Sequence, residues 1–112
     1  MRIRHIEYFL VLCEEQNFTR AAKRCGITQP SLTHAIRKLE DLFGGRLFDT
    51  VRNPTSVTKP TTLALVVKPH FERVLSEVEA AQRNASKHNA APEYRARNAL
   101  DLGGRHGNLE LA

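Results

Sequence analysis

Residues 17–43 read NFTRAAKRCGITQPSLTHAIRKLEDLF, and the reading of this stretch decides the fold. Asn17 suits an N-cap, because its side-chain oxygen can accept from an orphan N–H of a first helical turn. Arg20-Ala21-Ala22-Lys23-Arg24-Cys25 follows and is rich in strong helix formers. Gly26 stands where a helix C-terminus takes a left-handed residue, a conformation without steric cost for glycine. Ile27 is apolar and pins the turn into the core. Thr28 predicts the N-cap of a further helix, with Gln29 and Pro30 in its first turn, where the missing proline N–H would have had no partner anyway. Leu32, Ile36, Leu39 and Phe43 step by four, three and four and mark its buried stripe. Gln29, Ser31, Thr33, His34, Arg37 and Lys38 lie opposite, all polar or basic. Gly44-Gly45 ends it. Two helices across a tight turn make a helix-turn-helix.

Working outward, residues 3–15 predict an amphipathic core helix, with Ile3, Ile6, Phe9, Leu10 and Cys13 on one stripe. Residues 46–58 predict a small hairpin. Its strand ends are Leu47-Phe48 and Val57-Thr58, and Arg52-Asn53-Pro54 supplies the turn chemistry. Residues 60–88 predict a longer helix, with Leu63, Val67, Phe71, Val74, Val78, Ala81 and Ala85 forming a coiled-coil-like seam. Pro69 inside it removes one backbone bond and bends the helix. The seam can be buried by a second copy of the chain, the favoured reading in so short a protein, or by the first helix. Residues 89–107 shift to Asn, Ala, Arg and Gly and read as linker or disordered tail. The expected fold is mainly α: a winged helix-turn-helix (three-helix core plus small β-hairpin wing) at 1–59, then a dimerisation or linker helix at 60–88. Asn108-Leu109-Glu110-Leu111-Ala112 alternates like the start of a strand, so 89–112 reads as a flexible linker entering another domain.

Composition narrows the function. The chain has 112 residues, 41% hydrophobic and 26% charged, which suits one small packed domain. Such a domain buries only about two-thirds of its unfolded surface, so a partner subunit is a natural helper. Seventeen Lys and Arg against twelve Asp and Glu leave +5, which points toward an acidic partner, above all nucleic acid. Residues 1–61 carry ten basic and six acidic side chains, and residues 62–112 carry seven and six. Within 18–40 five basic residues (Arg20, Lys23, Arg24, Arg37, Lys38) face Glu40 alone.

Other classes fall away. Cys13 and Cys25 are too few for a secreted disulfide scaffold and fit a reduced cytosolic compartment. Glu7, Glu14 and Glu15 interrupt any signal-peptide apolar region, and no uncharged run approaches the roughly 20 residues of a membrane span. Both cysteines fall on apolar helix faces or their ends and read as core thiols. His5, His34, His70, His88 and His106 are scattered, without Cys-x-x-Cys or His-x-x-x-His spacing. No glycine-rich phosphate loop follows a strand. The sequence therefore predicts a soluble intracellular protein with no catalytic residues, metal or cofactor.

The helix-turn-helix suits double-stranded DNA. The major groove, about 12 Å wide, admits one helix, whose N-terminal residues reach the base edges. Gln29 can pair with adenine through its amide. Ser31, Thr33 and His34 can donate to bases or phosphates, and Thr28 adds a hydroxyl to a helix N-terminus that attracts phosphate oxygens. Arg37 and Lys38, a turn further on, suit the backbone. Arg52, near the wing tip, suits the minor groove or a flanking phosphate. His34 and Arg52 each also read as ordinary solvated residues. The rival class is a winged-helix dimerisation module with non-specific DNA affinity, and salt dependence separates the two.

These residues also carry a family resemblance. Asn17-Phe18-Thr19-Arg20-Ala21-Ala22, Thr28-Gln29-Pro30-Ser31-Leu32-Thr33, Leu39-Glu40 and Leu47-Phe48 resemble the N-terminal domain of LysR-type transcriptional regulators, over about residues 3–85. The resemblance implies a homodimer formed by antiparallel linker helices and binding to partly palindromic promoter DNA. It places Gln29, Pro30, Thr33 and His34 at the groove. Pro69 matches a position where such linker helices often carry proline. Gly107-Asn108-Leu109-Glu110-Leu111 is similar to the opening strand of an effector-binding domain, which would take the small-molecule effector and support higher oligomers. The chain thus reads as an isolated DNA-binding piece or a truncated protein. It departs from the family in the wing: Thr50 and Asn53 stand where arginine is usual, and Thr58-Lys59-Pro60-Thr61 where Thr-x-Ala-Gly is usual. Arg52 and Lys59 are the basic candidates that remain there.

Overall fold

A computed structural model describes residues 1–50 and 57–89. The elements run α1 (Ile3–Glu15), α2 (Phe18–Cys25), α3 (Gln29–Phe43), β1 (Phe48–Thr50), β2 (Thr58–Pro60) and α4 (Thr62–His88). Local chemistry sets most of these bounds. Asn17 Oδ1 accepts from the Arg20 N–H at 2.8 Å and starts α2. At its end Gly26 has φ 72°, and the Ile27 N–H donates back to the Ala22 carbonyl at 3.0 Å, closing the turn. Thr28 Oγ1 accepts from the Ser31 N–H at 3.2 Å and caps α3. Gly44, at φ 76°, ends it. α1 stops without glycine: Gln16 takes the left-handed conformation at φ 53° and donates its N–H to Leu12.

α1 is the central element, packed against α2, α3 and α4. Its Ile6, Phe9 and Leu12 are fully buried, joined by Leu32 and Leu39 of α3 and by Leu47. The ring of Phe9 lies 5.4 Å from Phe48 and 5.1 Å from Phe71, so one side chain ties the hairpin and α4 to the bundle. Leu12 thus belongs to the core, while Leu10, placed on the expected stripe, is only half-buried. Phe43 is 37% exposed; its ring lies 5.6 Å from Phe71 instead of inside the core.

β1 and β2 pair antiparallel, with Phe48 opposite Pro60, Asp49 opposite Lys59 and Thr50 opposite Thr58. Both strands begin one residue later than the expected ends, after Leu47 and Val57. The Arg52-Asn53-Pro54 turn and the expected linker beyond residue 89 lie outside the described residues. The junction into α4 shows what the unusual Thr61 does. Its N–H donates to the Leu47 carbonyl at 2.9 Å. Its hydroxyl donates to the Arg46 carbonyl at 2.7 Å and accepts from the Ala64 N–H at 3.2 Å, which caps α4. Glu40 braces the same loop, accepting from the Leu47 N–H at 2.8 Å.

α4 runs through Pro69 as one helix, and its apolar seam divides. Ala64, Val67 and Phe71 are buried within the protomer. The second of the two expected partners, the chain's own first helix, takes Phe71, whose ring lies against Phe9. Leu63, Val74 and Val78 are half-buried, and Ala81 and Ala85 are exposed. Leu65 and Val66, off the seam, are 57% and 61% exposed. Among the described residues no helix is long and apolar enough to cross a membrane.

Candidate nucleic-acid interface

The Gly26–Thr28 turn delivers the start of α3 to the surface. Spacing then gathers its side chains: positions 29, 30, 33, 34 and 37 lie within about two-fifths of the helix circumference at 3.6 residues per turn. Gln29, Pro30, Thr33, His34 and Arg37 line one open depression of about 450 Å³. A smaller one of about 180 Å³ adjoins it, where Gln29, Thr33 and Arg37 meet Phe18, Glu40, Arg46 and Phe48. Arg46 joins the site here. The sequence had not singled it out, because it lies in the loop after α3 and is near this face only once that loop folds back.

Two hydroxyls of the expected set serve the helix itself. Thr28 accepts from the Ser31 N–H and donates its own hydrogen to Ser31 Oγ at 2.8 Å. Ser31 keeps its hydroxyl hydrogen out of that bond, and both residues remain exposed at the tip of α3. A further contact spans the turn: Thr19 Oγ1 donates to Gln29 Oε1 at 3.1 Å. Thr33 is half-buried and His34 exposed. Arg52 lies outside the described residues.

Lys38 lies away from this face. It lines a different hollow of about 540 Å³ with Met1, Arg2, His5, Leu39, Asp41 and Leu42. There His5 is held below its ordinary pKa, first by burial and then by Lys38, the N-terminal amine, Arg2 and Arg4.

The basic cluster read between 18 and 40 is partly neutralised. The guanidinium of Arg24 bonds both Glu14 and Glu15, which raises its pKa further. Arg20 pairs with Glu15 at 3.4 Å and donates to the Glu15 carbonyl at 2.9 Å. The acidic end of α1 therefore turns these two arginines back onto the fold. Lys23, Arg37 and Lys38 stay exposed, and Arg37 is the cation of the cluster that lies beside Gln29 and Thr33. Burial holds Cys13 at a pKa of about 11, the thiol of a core residue, and raises Cys25 as well.

Known proteins resemble this chain in sequence and fold. Residues 3–64 match the model of the bacterial regulatory helix-turn-helix proteins of the lysR family. The hydrogen peroxide-inducible genes activator of Dickeya chrysanthemi is 35% identical over 91 residues, 81% of this chain and 29% of that protein. The DNA-binding transcriptional dual regulator OxyR of Escherichia coli K12 is 34% identical over 78% of this chain and 28% of its own length. The chain thus spans under a third of these two relatives. Among solved structures, the complex of the BenM DBD with benA site 1 DNA superposes with a TM-score of 0.69 at 31% identity, covering 78% of this chain and 98% of that one. Vibrio fischeri DarR in complex with DNA gives 0.71 at 27% identity, over 80% of this chain and 30% of that one. By fold, motif and this agreement, the chain belongs to the lysR family of bacterial regulatory helix-turn-helix proteins.

Proposed function

We propose that this chain is the sequence-specific DNA-binding part of a cytoplasmic transcriptional regulator, with no catalytic role of its own. The observation that carries this is the single exposed face at the start of α3, where Gln29, Pro30, Thr33, His34 and Arg37 converge. Entering the major groove N-terminus first, α3 presents the Gln29 amide to base edges, while Arg37 and Arg46 take phosphate oxygens. Thr28 and Ser31 order the tip and offer the helix N-terminus to phosphate. Lys38 and Arg52 are assigned to flanking backbone. Solved complexes of BenM and DarR with DNA support this reading.

The unit acts as a homodimer on partly palindromic promoter DNA. In this proposal α3 belongs to a winged helix-turn-helix over 1–59, and residues 60–88 link the two copies. Val74, Val78 and Ala81 are the seam residues on the outer half of α4, with Leu63 at its start, and they are assigned to that contact. Val67 and Phe71 shape it from beneath.

Base reading and backbone contact separate in titrations on a selected site and on random duplex. Gln29→Ala is expected to cost roughly 1–3 kcal/mol on the selected site and little on random DNA. Arg37→Ala should weaken both alike and lower the salt slope by about one. Equal loss from Gln29→Ala on both duplexes would contradict base reading and favour the non-specific interaction module.

A further inference from the structure

We infer that Glu15 is a positioning residue that holds Arg20 back from the DNA backbone and so limits affinity for duplex of any sequence, an inference resting on the DNA-binding role proposed above. In a helix-turn-helix the first helix crosses the backbone while the second enters the groove. The first turn of α2 borders the proposed interface. Phe18 lines the smaller depression beside Gln29 and Arg46, and Thr19 Oγ1 lies 3.1 Å from Gln29 Oε1. Arg20 completes that turn. Helical side chains tilt toward the N-terminus of their helix, so a released guanidinium here would extend past the end of α2 toward the backbone.

Its contacts run the other way. Arg20 Nε pairs with Glu15 Oε1 at 3.4 Å, and its Nη2 donates to the Glu15 carbonyl at 2.9 Å. Arg20 is thus held at two points, by a carboxylate and by a carbonyl at the negative end of α1. Glu15 is fixed in turn: its Oε2 takes Arg24 at 3.1 Å, and Arg24 also bonds Glu14. The Glu15 side chain is 27% exposed against 65% for Arg20, so the carboxylate is the anchored partner and the arginine the movable one. With that carboxylate neutralised, only the carbonyl bond remains. A DNA phosphate then offers the guanidinium a charge-assisted bond in place of the lost one.

The test uses the 112-residue chain and the variants Glu15→Gln, Arg20→Gln, both changes together, and Glu14→Gln. Each is titrated on a selected site and on random duplex across a salt series, with thermal melting in parallel. Glu15→Gln should bind both duplexes about three- to tenfold more tightly at low salt and steepen the salt slope by about 0.9, the signature of one added phosphate contact. A lower melting temperature cannot produce such a gain. Arg20→Gln alone should leave the salt slope unchanged, and in the double variant the gain should vanish. Glu14→Gln removes the same charge one residue away while Arg20 stays held, so its gain should be much smaller.

A shallower salt slope in Arg20→Gln alone would overturn the inference, because Arg20 would then already serve the backbone. So would the absence of a gain in Glu15→Gln, an equal gain in Glu14→Gln, or a gain that survives in the double variant, since none of these passes through Arg20. Where Glu15→Gln melts too early to assay, the slope of Arg20→Gln alone decides. In all these cases the wild type still binds its selected site, and the DNA-binding reading stands. Failure of the wild type to bind either duplex would bring down both.

Discussion

His5 lies near the start of α1, and its Nδ1 is buried without a hydrogen-bond partner. Burial, and then the positive groups around it, make the imidazolium harder to form in the fold than in the unfolded chain. A lowered folded-state pKa means that the stabilisation is present above the ordinary 6.5 and is lost as pH falls through the lowered value. Thermal melting followed from about pH 7.5 to about pH 5 should therefore decline more steeply in the wild type than in His5→Gln. Identical slopes would contradict it. None of this was readable from the residue alone, because the groups facing His5 include Lys38, which α3 brings back from far along the chain. The same holds for Arg20 and Arg24. Their run looked like a bare basic patch until the turn at Gln16 folded Glu14 and Glu15 onto it. Thr19 is a third case, since its partner lies across a turn whose geometry no local pattern reports.

At the scale of elements the sequence was far more legible, and the reason is local chemistry. The bounds of α2 and α3 fall where caps and left-handed glycines placed them, and Asn17, Gly26, Thr28 and Gly44 act within their own neighbourhoods. Gly26 offers the sharpest check. A Cβ there would meet nothing within 4 Å, so Gly26→Ala faces only the backbone cost of φ 72°. That cost is about 1–2 kcal/mol, read as a lower denaturant midpoint. An unchanged midpoint would contradict the left-handed assignment. Strand ends were less legible, because ladder register fixes them and the turn residues do not. Periodicity also reveals an apolar face without naming what covers it. The seam of α4 was seen whole from 63 to 85, yet Val67 and Phe71 pack inside the protomer while Ala81 stands exposed. The core stripe of α1 was too narrow for a similar reason. A helix flanked on three sides by α2, α3 and α4 buries Leu12 as well.

At the scale of the whole molecule, the described residues pack around one helix. α1 anchors α2, α3 and α4, and Phe9 locks the hairpin and α4 to it by aromatic contacts. The core therefore fixes the α3 face proposed to read DNA relative to α4, which in the same proposal carries a second copy. If two copies pair through α4, two α3 faces are presented about a two-fold axis, and the DNA they select must share that symmetry. The most direct test is selection of a randomised duplex pool by the 112-residue chain at two salt concentrations, followed by sequencing. Enrichment of a two-fold symmetric site, with affinity falling steeply as salt rises, is the predicted result. Recovery of no consensus, with binding that simply fades at higher salt, would contradict it.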